Sequence, residues 1–386
     1  MNTAPRDALR FTGLALTNWR NFRNVDVDLA QRVMLVGPNA SGKSNLLDAL
    51  RFLHDVVTVG GGFQAAVKQR GGVTKLRCLA ARRESHIGLR VDLGNDDRLS
   101  GWQYEIEFAQ DKRLGPILRK ERVLREGAEI FSRPNQEDRK DPKRLTQTYL
   151  EQVNANREFR EVADYLAAVR YLHIVPQIVR EPERFQGRVE DPFGGDFLQR
   201  MAETPAKTRD ARLRRIREAL RVAVPQLKDL ELWRDERGVP HVRGKYEHWR
   251  PQGAWQTEGQ FSDGTLRLMG ILWAVLETSG PLLLEEPELS LHPDVIRFIP
   301  QMFARIQRRT GRQILVSTHS ADLLRDEGIG LDEVLLLLPG VEGTEVRPAA
   351  AFKDIQALLE GGLTMADAVL PKTRPSHPEQ LPLLLD

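Results

Sequence analysis

The stretch VMLVGPNASGKSNLLDALRFL, residues 33–53, sets four apolar residues, a loop of small residues and an amphipathic run end to end. Within it, Gly37, Pro38, Asn39, Ala40, Ser41, Gly42, Lys43 and Ser44 fit the pattern G-x-x-x-x-G-K-[ST]. Such a loop cradles phosphates with its backbone N–H groups and with the N-terminus of the helix that follows. The flanks supply the context the loop requires. RVMLV, residues 32–36, reads as a short buried strand, and Leu46, Leu47, Leu50 and Leu53 recur at helical spacing directly behind Lys43. In this arrangement Lys43 neutralises the β- and γ-phosphates, and the Ser44 hydroxyl ligates Mg²⁺.

Upstream, residues 9–29 read as two strands around a polar turn, with Val25, Val27 and Leu29 alternating against Asn24, Asp26 and Asp28. Downstream, the glycine-rich residues 60–72 are expected to form a mobile loop. IGLRVDL and WQYEIEF form an expected β-hairpin, RKERVLREGAEIFSRP continues the β pattern, and PNQEDRKDPK is expected as a polar surface loop. Apolar residues at intervals of three and four predict helices over residues 158–170 and 205–224. The proline-rich last sixteen residues are expected to be disordered.

A second α/β block begins near Phe261. In PLLLEEPELSLHP an apolar strand delivers two carboxylates to its C-terminal edge, where parallel α/β sheets hold their ligands. Glu285 would hold Mg²⁺, largely through water, and Glu286 would orient and deprotonate an attacking water. In QILVSTHSADLL a further strand brings Ser317, Thr318 and His319 to the same kind of edge, where the imidazole can meet a γ-phosphate or that water. In FSDGTLRLMGILWAVLE, Ser262 and Asp263 precede a long apolar helix. A plain helix cap accounts for them as well as a phosphate contact does.

A chain of 386 residues exceeds one ordinary core, so two lobes or domains are expected. Its single cysteine, Cys78, excludes an internal disulfide and a multi-cysteine zinc site. The first residues carry no apolar signal core and no run suits a membrane span, which makes a cytoplasmic protein the expectation. A net charge of +3 is too small to argue for nucleic acid by itself.

Taken in order, these pieces resemble an ABC-type ATPase head: GPNASGKS resembles Walker A, FSDGT the signature, LLLEEPE Walker B, LSLHP the D-loop and STHS the His-switch. NWRNF, SDGTLR and EEPELSLHP resemble the RecF/SMC/OLD branch, and within it the compact AAA/OLD-like ATPases without a nuclease domain. The resemblance implies an α/β P-loop NTPase fold. It divides into an N-terminal β-rich lobe (residues 1–110), a mixed β/helical insertion (111–255), a C-terminal α/β lobe (256–348) and a C-terminal helix with tail (349–386).

It also implies ATP and Mg²⁺ as ligands, with catalytic Lys43, Glu286 and His319 and with Ser44 and Glu285 at the metal. The nucleotide would be held by Gly37, Pro38, Asn39, Ala40, Ser41, Gly42, Lys43, Ser44 and Asn45, with Arg20 of NWRNF as a further contact. Heads of this class dimerise head to tail around two ATP, so Ser262 and Gly264 would reach the γ-phosphate held by Lys43 of a second copy. Glu285 stands where many relatives have Asp, and Asp263 where transporters have Gly. No Q-loop glutamine is placed by the sequence; Gln103 and Gln177 are the candidates.

The separation of Ser44 from Ser262 is far longer than transporter cassettes use, and no sustained heptads fill it as an SMC arm would. The residues after His319 are too few for an OLD-type nuclease. Two expectations follow. One is a slow, Mg-dependent ATPase acting on DNA, in repair or antiphage defence, with Arg209, Arg212, Arg214, Arg215, Arg217 and Arg221 on one helix and Lys245, Trp249 and Arg250 nearby. The other is an ATP-dependent scaffold or sensor controlling a separately encoded nuclease or toxin without binding DNA. Its docking elements would be the helix over residues 352–359 and the apolar end, residues 381–385.

Overall fold

The computed structural model describes residues 8–82, 84–95, 99–185, 190–249, 254–277 and 280–374. Arg250, the hairpin residues 96–98 and residues 381–385 lie outside them. The chain forms two compact units. One comprises Met1–Arg170, Ser279–Leu283 and Pro300–Asp386, the other Tyr171–Thr278 and Leu284–Ile299. No helix among the described residues is long and apolar enough to cross a membrane.

The first unit holds a six-stranded antiparallel sheet in the order Phe22–Asp28, Arg10–Trp19, His86–Gly94, Trp102–Asp111, Gly115–Arg125, Ala128–Arg133. The alternation read in residues 24–29 is real: Val25, Val27 and Leu29 are buried while Asn24, Asp26 and Asp28 are exposed. A second sheet has Arg32–Val36 at its centre, paired in parallel with Ile314–Thr318 on one side and Val334–Gly340 on the other. Gly343–Pro348 closes one edge antiparallel. Beyond Ile314–Thr318 come Leu282–Glu285, whose Leu282 N–H donates to Gln313, and Arg170–Leu172, whose Arg170 N–H donates to Pro281. Arg32–Val36 is buried throughout because parallel strands are covered on both faces.

Helix Lys43–Val57 buries Leu46, Leu47, Leu50 and Leu53, the stripe its spacing predicts, at about 1.5–3 kcal/mol per side chain. Its Phe52 packs edge-on to Trp19 at 5.4 Å and stacks with Phe108 at 5.6 Å, which fixes the helix on the antiparallel sheet.

Two expected loops turn out to hold helices. Residues 60–72 contain helix Phe63–Gln69, with Phe63, Ala66 and Val67 buried on one face. The flanking glycines do the turning: Gly62, Gly71 and Gly72 all have positive φ. Within the polar segment PNQEDRKDPK lies helix Gln136–Lys140, closed by a capping box between Asn135 and Asp138. Asp138 is buried because Arg133 holds both its oxygens, at 2.9 and 2.7 Å. The apparently polar loop is thus one side of a buried ion-pair network.

In the second unit, a three-stranded antiparallel sheet orders Ala254–Thr257, Pro240–Tyr246 and Leu227–Arg234. Helix Ala206–Ala223 buries only Leu213, Ile216 and Leu220 of its 18 residues, leaving a wide polar face. Helix Asp263–Leu276 is buried along nearly its whole length from Thr265 on. Its Gly270 leaves room for Ile174, whose Cδ1 would lie 1.8 Å from a Cβ there.

Candidate nucleotide site

The phosphate loop is shaped by its own backbone and by a residue from the first hairpin. Ala40 and Gly42 both take positive φ, 63° and 99°, which turns successive N–H groups toward one side of the loop. Helix Lys43–Val57 then starts at Gly42 with no side-chain cap and no acidic residue in its first turn. Its N-terminal N–H groups therefore face outward as an anion site. Lys43 is buried, with Nζ donating to the Gly37 and Pro38 carbonyls at 2.8 and 3.1 Å.

Asn21, next to the arginine singled out in NWRNF, holds this loop. Its Nδ2 donates to the Ser41 carbonyl and to Thr344 Oγ1, both at 2.8 Å, and its Oδ1 accepts from Asn45 at 2.9 Å. A Cβ on Gly42 would lie 2.2 Å from Asn21 Nδ2, so this position needs glycine for space as well as for φ. Arg20 itself pairs with Asp48 on the loop's helix at 3.1 Å, and Asp48 also holds Arg70 at 2.8 Å. Nothing local in NWRNF favours Asn21 over Arg20, since the partner Thr344 comes from the far end of the chain.

A cavity of 570 Å³ opens against the loop at Gly37, Pro38 and Asn39. His319, exposed at the end of strand Ile314–Thr318, lines it, whereas Ser317 and Thr318 are fully buried. The opposite wall is C-terminal: Ala366, Leu370, Pro371 and Arg374. Residues 371–374, the start of the segment expected to be disordered, are instead ordered: Leu370–Thr373 forms a short 3₁₀ turn, with Thr373 buried. The loop fits a polyphosphate on three counts: outward N–H groups, an uncapped helix start, and Ser41 Oγ, buried without a hydrogen-bond partner among the described residues.

In the second unit, Glu285 ends strand Leu282–Glu285 and accepts from the Tyr171 hydroxyl. Glu286 follows with φ 42°, outside the usual range for a residue with a side chain. No three His, Cys, Asp or Glu side chains gather as a metal-holding group among the described residues.

Ser262 caps helix Asp263–Leu276, its Oγ accepting from the Thr265 N–H at 3.2 Å. Asp263 is held by Arg180, which also donates to the Phe261 carbonyl at 2.8 Å, and by Gln177 Nε2 at 3.4 Å. Of the two glutamine candidates, Gln177 therefore touches the signature turn, while Gln103 binds Asp92 at 2.6 Å. Lys43, Ser44, Asn45 and His319 thus lie in the first unit, and Glu285, Glu286, Ser262 and Gly264 in the second.

Comparison with solved structures finds the fold of SMC heads. An SMC head bound to the C-terminal winged-helix domain of ScpA aligns with a TM-score of 0.52 at 13% identity, covering 87% of this chain and 96% of that one. An SMC head with an extended coiled coil, bound to the C-terminal domain of ScpA and derived from Pyrococcus furiosus, aligns with a TM-score of 0.51 at 12% identity, over 92% of this chain and all of that one. A head with coiled coil and joint from Pyrococcus yayanosii gives 0.50 at 11% identity, over 92% and 100%. No curated protein matches the chain. A family model described as "AAA domain, putative AbiEii toxin, Type IV TA system" matches residues 32–326, from the strand before the phosphate loop to beyond His319. The chain, with the P-loop NTPase fold of an SMC-type head, belongs to that AAA-domain family.

Proposed function

We propose that this protein is a Mg²⁺-dependent ATPase whose heads close on one another around two ATP molecules. The observation that carries the reading is the loop at residues 37–44, with its positive-φ turn, buried lysine and uncapped helix start. Lys43 and the loop N–H groups bind the polyphosphate, Asn45 continues the cradle, and Arg20 steadies the helix through Asp48. Ser44 and Glu285 hold Mg²⁺, which supplies charge neutralisation at the phosphates. Glu286 takes a proton from the attacking water, and His319 orients the γ-phosphate end. Ser262 and Gly264 serve the nucleotide of the second copy. For Ser262 this means exchanging an internal cap for a phosphate, both of which a helix N-terminus accommodates.

The closure acts on DNA, in repair or antiphage defence. The supporting observation is helix Ala206–Ala223, on which Arg214, Arg215 and Arg221 are exposed. The other three arginines are engaged: Arg209 with Asp210, Arg217 with Asp229, and Arg212 over the Trp273 ring. The second reading, control of a separately encoded effector in the cytoplasm, draws on the toxin–antitoxin wording of the family description.

The test is molar mass in solution for wild type and Glu286→Gln, each with and without ATP and Mg²⁺. Removing the base leaves binding intact, so the variant is expected to roughly double in mass only when ATP is present. An ATP-independent mass in both proteins rejects the closure.

A further inference from the structure

Helix Asp263–Leu276 carries a buried cation that the nucleotide chemistry has not used. Arg267 is 6% exposed, and its Nε and Nη1 are buried without a hydrogen-bond partner among the described residues. A guanidinium left that way is costly, and its persistence calls for a reason. Arg267 lies one turn after Gly264 on the same face of the helix. That face rests on the turn after the second strand carboxylate: a Cβ on Gly264 would lie 2.4 Å from the Ser290 carbonyl.

The turn is itself strained. Glu286 and Ser290 have φ of 42° and 62°, and the turn is closed by N–H donation from Leu289 to Glu286 at 3.3 Å and from Leu291 to Glu288 at 3.1 Å. Glu288 is buried, at 5% exposure. Burial pulls the Arg267 guanidinium below its ordinary range, opposed by the charges of Asp263, Glu288 and Glu286. Those three carboxylates are thus its electrostatic surroundings.

We propose that Arg267 is a positioning residue that couples the signature turn to the base, so that a phosphate arriving at Ser262 and Gly264 sets the orientation of Glu286. The inference rests on the ATP-driven closure proposed above. Two features perform the coupling. The Gly264–Ser290 contact passes any shift of the helix start directly to the strained turn, because there is no side chain to absorb it. The buried charge of Arg267 acts on that acidic turn, and its unpartnered N–H groups offer a position for those carboxylates to close onto. Hydrolysis in one site then depends on the arrival of the nucleotide held by the other copy.

The experiment is steady-state ATP hydrolysis and nucleotide affinity for wild type, Glu286→Gln, Arg267→Met and Arg267→Lys as full chains. Arg267→Met is expected to lower kcat by about tenfold or more, with KM and nucleotide affinity unchanged. Arg267→Lys should recover part of the loss, which a packing defect would not. An Arg267→Met variant with wild-type kcat overturns the proposal, as does a loss in kcat matched by weaker nucleotide binding and not recovered by lysine. If Arg267→Met does not fold, Gly264→Ala carries the test: its Cβ must push the Ser290 turn away, and an unaltered kcat overturns the coupling. A wild type without hydrolysis, or Glu286→Gln as fast as wild type, instead rejects the closure reading on which the coupling stands.

Discussion

Gly42 is the residue on which the phosphate loop turns. Its φ of 99° excludes the ordinary conformations of other residues, and Asn21 fills the space its side chain would occupy. Gly42→Ala should therefore distort the loop and displace Asn21, freeing Ser41 and Asn45 together. We expect destabilisation on the order of 1–3 kcal/mol and at least about tenfold weaker binding of ATP, readable by thermal unfolding and equilibrium titration. Wild-type affinity and melting temperature in this variant would remove Asn21 and Gly42 from the cradle. The glycine was legible in the motif. The asparagine was not, since its loop-holding role needs Thr344, 323 positions away, to orient its amide.

At the scale of elements, helix Phe63–Gln69 and the network beneath the antiparallel sheet decide a pH response. Glu151 accepts from the Phe63 N–H at 2.5 Å and the Thr148 N–H at 3.0 Å, tying the helix start to the segment after Gln136–Lys140. Burial pushes its carboxyl up from the ordinary 4.5 to about 7, although both N–H donors pull it down. The folded state thus holds this proton more tightly than the unfolded one. The associated stability is fully present below the unfolded value and is lost as pH rises through about 7. Partial solvent access reduces the effect to on the order of 1 kcal/mol. Melting temperatures followed from pH 5 to 8 should fall less in Glu151→Gln than in wild type, and parallel curves would reject this role. Both helices here escaped sequence reading for the same reason. Each is a short turn whose identity rests on a partner, Glu151 or Arg133, rather than on a long periodic pattern.

For the whole molecule, the two units divide the chemistry, with the phosphate loop in one and both strand carboxylates in the other. Under the DNA reading, the exposed Arg214, Arg215 and Arg221 make backbone contacts. Replacing all three with alanine should then weaken duplex binding and reduce the slope of log affinity against log salt by about 3. Absence of duplex binding at low salt with ATP present would leave control of a partner protein as the surviving reading.

The sequence alone determined the phosphate loop, the strand before it, the helix after it and the acidic pair at the end of strand Leu282–Glu285, together with the P-loop fold class they define. These are properties of consecutive residues, where backbone geometry and hydrophobic period act over one or two turns. Only the tertiary structure decided that Asn21 holds the loop, that Tyr171 meets Glu285, that Arg374 walls the cavity beside His319 and that Arg267 is buried on a helix whose Gly264 meets the Ser290 turn. Each of these brings together groups far apart in the chain, and no local pattern encodes the partner.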